Sequence, residues 1–225
     1  MQVSGNAGAT HRTPNRENLK TNFKNKKNKQ LVFMENEEKY KKEKMTINVY
    51  WANVFGVLLF IPTILIFGLP YIFIWKSKFQ LKDFLPHHFL GSIWIVLLAL
   101  ILGTIVHELL HGITWSKYAK NGFKSIKFGI KWEMLTPYCH CKEPLKVSHY
   151  VLGCIMPAII LGFIPAILAI IIGNLGLLIF GIFFTVAAGG DFLVIYNLRK
   201  ESKDTLVEDH PSEVGFYVYR LVDEV

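Results

Sequence analysis

Residues 101–112 read Ile101-Leu102-Gly103-Thr104-Ile105-Val106-His107-Glu108-Leu109-Leu110-His111-Gly112, and they set two histidines and a glutamate inside an apolar run that extends from residue 89 to residue 115. Residues four apart share one face of a helix, so the imidazoles of His107 and His111 can address a single metal ion. Glu108 then stands beside that ion. A transition-metal ion held by neutral imidazoles activates water, and an adjacent carboxylate can take the proton. Charged groups inside a membrane cost roughly 2.5 to 3.5 kcal/mol each on insertion scales, and they are retained there with a partner or a task. The competing account has the two histidines and Glu108 bonding to neighbouring helices without metal.

Working outward, three further apolar runs cover residues 49–75, 150–172 and 175–198. Each exceeds the ~20 helical residues that cross a bilayer. The stretch 81–85 is too short and too charged to be another crossing. Tyr50, Trp51, Tyr71 and Trp75 sit at the ends of the first run, where amphipathic rings prefer the membrane interface. The N-terminus is polar and the first apolar run is far from it, so no secretory signal is apparent. The expected fold is an all-α integral membrane domain of four transmembrane helices with a small cytoplasmic β-hairpin.

Orientation follows from lysine and arginine. Four crossings put the N-terminal arm, the connection 117–147 and the C-terminal tail on one side, with eleven, seven and four basic residues, while the other side has Lys76, Lys78 and Lys82. The positive-inside rule makes both termini and the long connection cytoplasmic. The net charge of +8 needs no nucleic acid, because a basic face against anionic lipid accounts for it.

The first 45 residues are polar and rich in Lys, Asn and Glu, and are expected to form a disordered basic arm. Translation starting at Met34 would remove most of it, which N-terminal mass analysis of the native protein decides. Residues 46–200 are then the four-helix membrane domain and residues 201–225 a cytoplasmic tail.

Depth in the membrane points to a third metal ligand. His107 lies ten residues before Lys117 and His111 six before it, which is about 9 to 15 Å at 1.5 Å per residue. Asp191 lies eight residues before Arg199, or about 12 Å. The three side chains can therefore share one level. Ala99 and Gly103 precede His107 on its face, and Ala187 to Gly190 precede Asp191; small residues let membrane helices approach closely. The alternative is that these residues serve packing only, with Asp191 bonded to a histidine. The run 150–172 contains Gly153, Pro157, Gly162 and Pro165, which can bend it, and no chemistry is assigned to it.

In the connection, Phe123, Ile126, Phe128, Ile130 and Trp132 interleave with Lys124, Lys127 and Lys131 before Thr136-Pro137, a period-two pattern that reads as a hairpin. Its edge either holds a peptide in extended form beside the metal or merely caps the bundle. Cys139-His140-Cys141 and Cys154 are too few for a disulfide framework, and a second zinc site there lacks further ligands. His140, His149 and His210 read as surface histidines, with polarisation of a substrate carbonyl as the functional alternative. The segment 214–219 reads as a strand that pairs with the hairpin, so deletion of residues 208–225 is expected to impair folding or activity.

At His107-Glu108-Leu109-Leu110-His111, Lys142-Glu143-Pro144-Leu145, Gly189-Gly190-Asp191 and Asp209-His210-Pro211 followed by Gly215-Phe216-Tyr217-Val218-Tyr219, the chain resembles a bacterial family of zincin membrane peptidases catalogued as a domain of unknown function. The likeness covers about residues 45 to 220. More distantly the chain is similar to the site-2 proteases, which place H-E-x-x-H in a membrane helix and take an aspartate from a later one. Their aspartate stands in an Asn-Pro-Asp-Gly type of motif, whereas here it is Gly189-Gly190-Asp191-Phe192. The resemblance implies Zn²⁺ held by His107, His111 and Asp191, with Glu108 catalytic.

The expected function is a membrane-boundary zinc metallopeptidase that hydrolyses a peptide bond of a peptide or membrane-protein substrate with a metal-activated water. The alternative is a non-catalytic zinc-binding membrane protein, a transporter or sensor. A scaffold without metal would leave Glu108 and Asp191 unexplained.

Overall fold

Asn48 opens the first helix: its side-chain oxygen accepts the Tyr50 amide at 2.9 Å, and α1 (Val49–Thr63) follows. Pro62 interrupts the ladder of α1, and the chain passes through a π-helical turn, Ile64–Gly68, into α2 (Leu69–Trp75). The same device recurs where α4 (Val147–Pro157) ends on its proline and continues through π-helical Ala158–Phe163 into α5 (Ile164–Ile172). Proline removes a donor, and an i→i+5 turn absorbs the offset. Gly173, in the left-handed conformation at φ 72°, ends α5, and Asn174 caps α6 (Leu175–Ala187) by accepting the Leu177 amide at 2.9 Å.

This computed structural model describes residues 39–76, 89–132, 136–211 and 213–222. The arm up to residue 38 with Met34, the segment holding Lys78 and Lys82, and the short stretch 81–85 lie outside the described residues. The protein is mostly helical with small antiparallel sheets. Three continuous helical stretches are long and apolar enough to cross a membrane: Tyr50–Trp75, Ile93–Ser116 within α3 (Phe89–Ser116), and Val147–Ile172. A fourth crossing exists if α6 and α7 (Gly189–Leu198) count as one span. The sequence reads 175–198 as one continuous helix. Instead it breaks at Ala188 and bends by 43°, which puts Asp191 in the first turn of α7.

Small residues set the helix spacing. A methyl group at Gly103 of α3 would stand 2.2 Å from the Phe184 ring of α6, and one at Gly181 would meet the Ala166 amide of α5 at 2.6 Å. Gly189 instead approaches Gly56 of α1. That close contact lets α7 lie against the first helix.

Two small sheets accompany the helices. The hairpin is present as β2 (Ile126–Lys131) and β3 (Thr136–Cys141), in antiparallel register from Ile126 opposite Cys141 to Lys131 opposite Thr136. The other sheet has the order β1-β6-β5-β4, with β1 (Tyr40–Thr46), β4 (Leu145–Lys146), β5 (Leu206–Asp209) and β6 (Gly215–Leu221). Two differences from the sequence reading stand out. The tail strand does not pair with the hairpin; β6 lies between β1 and β5. Residues 40–45, read as the end of a disordered arm, form with Thr46 the strand β1 at the edge of that sheet.

Side-chain chemistry explains why so polar a segment forms a strand. Lys44 pairs with Glu213 at 2.6 Å, Glu43 pairs with Arg220, and the Lys42 ammonium lies 3.8 Å from the Tyr217 ring centroid. Arg220 also bonds Glu201 at 2.6 Å, and these carboxylates raise its already high pKa further. The sheet then covers one end of the bundle. Phe216, Val218 and Val207 are fully buried with Trp115, Val147, Tyr150 and Leu198. That cluster gathers the end of α3, the start of α4 and the end of α7. Residues Tyr40–Val225 form one compact unit.

Phe216→Ala in that cluster should lower stability by about 3–5 kcal/mol, the cost of removing a buried phenyl ring. Deleting residues 208–225 removes β6 and half of β5 and leaves β1 without its pairing strand, so the truncated chain should not fold. Denaturant unfolding in detergent, followed by circular dichroism, tests both; a truncation with wild-type melting would remove the argument.

Candidate metal centre

The step of four that runs through α3 does more than pair two histidines. Gly103, His107, His111 and Trp115 share a face: Gly103 meets α6, His107 meets α7, and His111 and Trp115 meet α4. His107 and His111 are 8% and 4% exposed. Asp191 enters from α7 with its two oxygens divided between them: Oδ2 is 3.3 Å from His107 Nε2 and Oδ1 is 3.3 Å from His111 Nε2. These three residues form the one group among the described residues whose ligand atoms, within 4.8 Å of one another, could hold a metal ion.

His111 has its other nitrogen engaged. Nδ1 lies 2.9 Å from the Gly153 carbonyl oxygen, which can only accept, so Nδ1 carries the proton. In the neutral ring Nε2 is then a lone pair, and it faces a carboxylate oxygen that is also a lone pair. Two acceptors at 3.3 Å require a cation between or on them. Ligand atoms each about 2.0–2.1 Å from one tetrahedral zinc stand about 3.3 to 3.4 Å apart. Two imidazoles and a carboxylate whose ligand atoms lie within 4.8 Å of one another are a donor set that fits zinc.

Glu108 faces the same space. It lines a cavity of about 270 Å³ together with the three candidate ligands, Ala187 and Gly190, strand residues Pro137 to Cys139, and Val214 to Phe216 of the tail. The backbone amide of Cys139 approaches the Glu108 carboxylate. The hairpin reaches this position because α3 has glycine at 112, where a methyl group would stand 2.5 Å from the Phe128 ring.

Several residues around the centre were not legible as functional. Trp115 stacks on His111, with centroids 5.1 Å apart, and on Tyr150, also at 5.1 Å. Its Nε1 donates to the Tyr150 carbonyl at 3.0 Å. Tyr150 in turn donates its hydroxyl to Asp209, whose other oxygen accepts the Cys141 amide at 2.7 Å. Asp209 thus ties β5 to the hairpin and to α4 at the cavity wall. Burial raises its carboxyl pKa above the ordinary value despite both donors. The step of four from His111 to Trp115 is a signal that could have found the tryptophan. Nothing local announces Asp209 except its place before His210-Pro211.

Among the described residues, His140, His149 and His210 do not line the cavity. His140 Nδ1 is 3.8 Å from Asp209, His149 stacks on Tyr118, and His210 Nδ1 accepts the Glu213 amide at 2.9 Å. The Cys139-His140-Cys141 segment belongs to no metal-holding group among the described residues. Burial pushes the Cys141 thiol up to about 12 and the Cys139 thiol higher still. Thiolate is the reactive form, so alkylation of both by iodoacetamide at pH 7.5 should be at least about tenfold slower in the folded protein than after denaturation. Peptide mass mapping reads this directly; equal rates would mean that the hairpin is open.

Fold and site together define a protein of apolar, membrane-length helices carrying an H-E-x-x-H centre completed by an aspartate from a separate helix. Residues 100–206, which contain all four site residues, match the model of a family described as "Putative zincin peptidase". The family resemblance read from the sequence is borne out over that stretch. No curated protein and no solved structure matches the chain.

Proposed function

We propose that the chain is an integral membrane zinc metallopeptidase that cleaves a peptide bond close to the cytoplasmic membrane boundary. The observation that carries this reading is the pair of histidine Nε2 atoms facing the divided Asp191 carboxylate at 3.3 Å, with Glu108 in the same cavity. His107, His111 and Asp191 would hold the ion, which when bound supplies electrophilic polarisation of a carbonyl and acidity to water. Glu108 takes the proton from the attacking water and returns it to the leaving amine. The Cys139 amide at its carboxylate holds Glu108 toward the cavity.

The substrate is an extended peptide. The strand β3 pairs with β2 along one edge, and its residues 137–139 line the cavity beside Glu108. Backbone bonds along such an edge would align a chain for cleavage. The start of α1, the end of α3, the start of α4 and the end of α7 gather at the sheet, which supports a topology with both termini and the connection on one side, the cytoplasmic one by its lysines and arginines. The basic residues of that side then meet anionic lipid. A transporter needs polar groups along a path through the spans. Within 50–75, 93–116, 147–172 and 175–198 the charged or imidazole side chains are His107, Glu108, His111, His149 and Asp191, so hydrolysis at one level is the better account.

Elemental analysis of the detergent-purified full chain tests the reading. About one zinc per folded chain is expected. Folded protein that takes up no zinc when it is supplied would overturn it.

A further inference from the structure

The acceptor that orients His111 is a helix carbonyl, and carbonyls inside helices are ordinarily taken by the amide four residues on. Gly153 lies in α4, and the residue four on is Pro157, which has no N–H. The next amide along, Ala158, bonds to Ile155 and not to Gly153. The proline ring also crowds the carbonyl of residue i−4 and tilts it away from the helix axis. At Gly153 that outward carbonyl is met at 2.9 Å by His111 Nδ1 from α3. Gly153 itself is required for the approach, because a methyl group there would stand 1.9 Å from Trp115 Nε1.

From this geometry we propose that Pro157 is a positioning residue of the metal centre: by withholding a backbone N–H it frees the Gly153 carbonyl to fix the tautomer and ring orientation of His111. Outer-shell acceptors of this kind are what present the opposite nitrogen of a histidine as a ligand. The inference rests on the metal reading of the preceding subsection. It gives the proline of α4 a chemical role in addition to its π-helical turn. Pro165, the other proline of the same span, has Leu161 at i−4, and Leu161 does not line the cavity.

The test is zinc affinity, measured by chelator competition on the detergent-purified full chain. Pro157→Ala restores an N–H that competes for the Gly153 carbonyl and draws it back to the helix axis, so affinity should fall about 10- to 100-fold, the loss typical of an outer-shell partner. Pro165→Ala should bind as wild type does. The deciding variant carries lactate at position 157, which has the alanine methyl but an ester oxygen in place of the N–H. It should bind zinc within about threefold of wild type, since the acceptor stays free. Wild-type affinity in Pro157→Ala, or a lactate variant as weak as the alanine one, would overturn the proposal. If Pro157→Ala does not fold, Pro157→Gly, which restores the same N–H, takes its place: it should lose affinity about 10- to 100-fold, and wild-type affinity in it would overturn the proposal. Absence of zinc binding in wild type removes the metal reading itself, and this inference with it.

Discussion

Glu108→Gln is expected to keep its zinc and to lose peptide hydrolysis by about 10²- to 10⁴-fold, the range that a positioned proton-transfer group contributes. Glutamine has the same shape, and its carbonyl oxygen can still accept the approaching Cys139 amide. It cannot take a proton from water or return one to an amine. Because Glu108 is not one of the three grouped ligands, zinc per chain should remain near that of wild type. The variant also removes a charge from an apolar helix, so its melting temperature should not fall. Cleavage of a membrane-protein or peptide substrate by purified protein, with zinc content on the same sample, is the measurement. Hydrolysis at the wild-type rate would remove Glu108 from the mechanism.

Asp191→Ala has the opposite signature. It leaves two histidines on one helix with nothing opposite them, and two imidazoles do not make the three protein ligands of a catalytic zinc site. Zinc content should drop from about one per chain to near zero, a larger effect than the roughly 10- to 100-fold cost of losing an outer-shell partner. The fold should persist, because the bend at Ala188 and the contact of Gly189 with Gly56 do not depend on the carboxylate. His107→Ala should behave likewise. Full zinc occupancy in folded Asp191→Ala would mean that the third ligand lies elsewhere.

These two variants probe residues that the sequence already exposes. His107, Glu108 and His111 are legible because their spacing is local and the helix period is fixed. Asp191 is legible because an isolated carboxylate in an apolar run is costly, and counting residues to the nearest charge gives its depth. The acceptor on Gly153 is not legible in the same way. It is a main-chain oxygen, and the proline that frees it reads equally as a bend. Trp115 and Tyr150 form a continuous stack from His111 toward Asp209.

The strands show the same division. Alternation in 126–132 and 214–219 marks strands because side-chain direction has period two. Which strands pair is a question of distant backbone partners, and β6 could meet the hairpin or β1 on pattern alone. Phe216 and Val218, buried beneath the sheet, decide it. The charged segment 40–46 is a strand only because β6 offers it an edge and Arg220 and Glu213 offer it counter-ions.

The sequence by itself determined the membrane-length helices, the metal-binding spacing and the candidate base, since each follows from periodicity and from the cost of charge in an apolar run. Only the tertiary structure decided that the last apolar stretch breaks beside Asp191, that the tail lines the cavity, and that a proline-freed carbonyl orients His111, since each depends on atoms brought together from segments far apart in the chain.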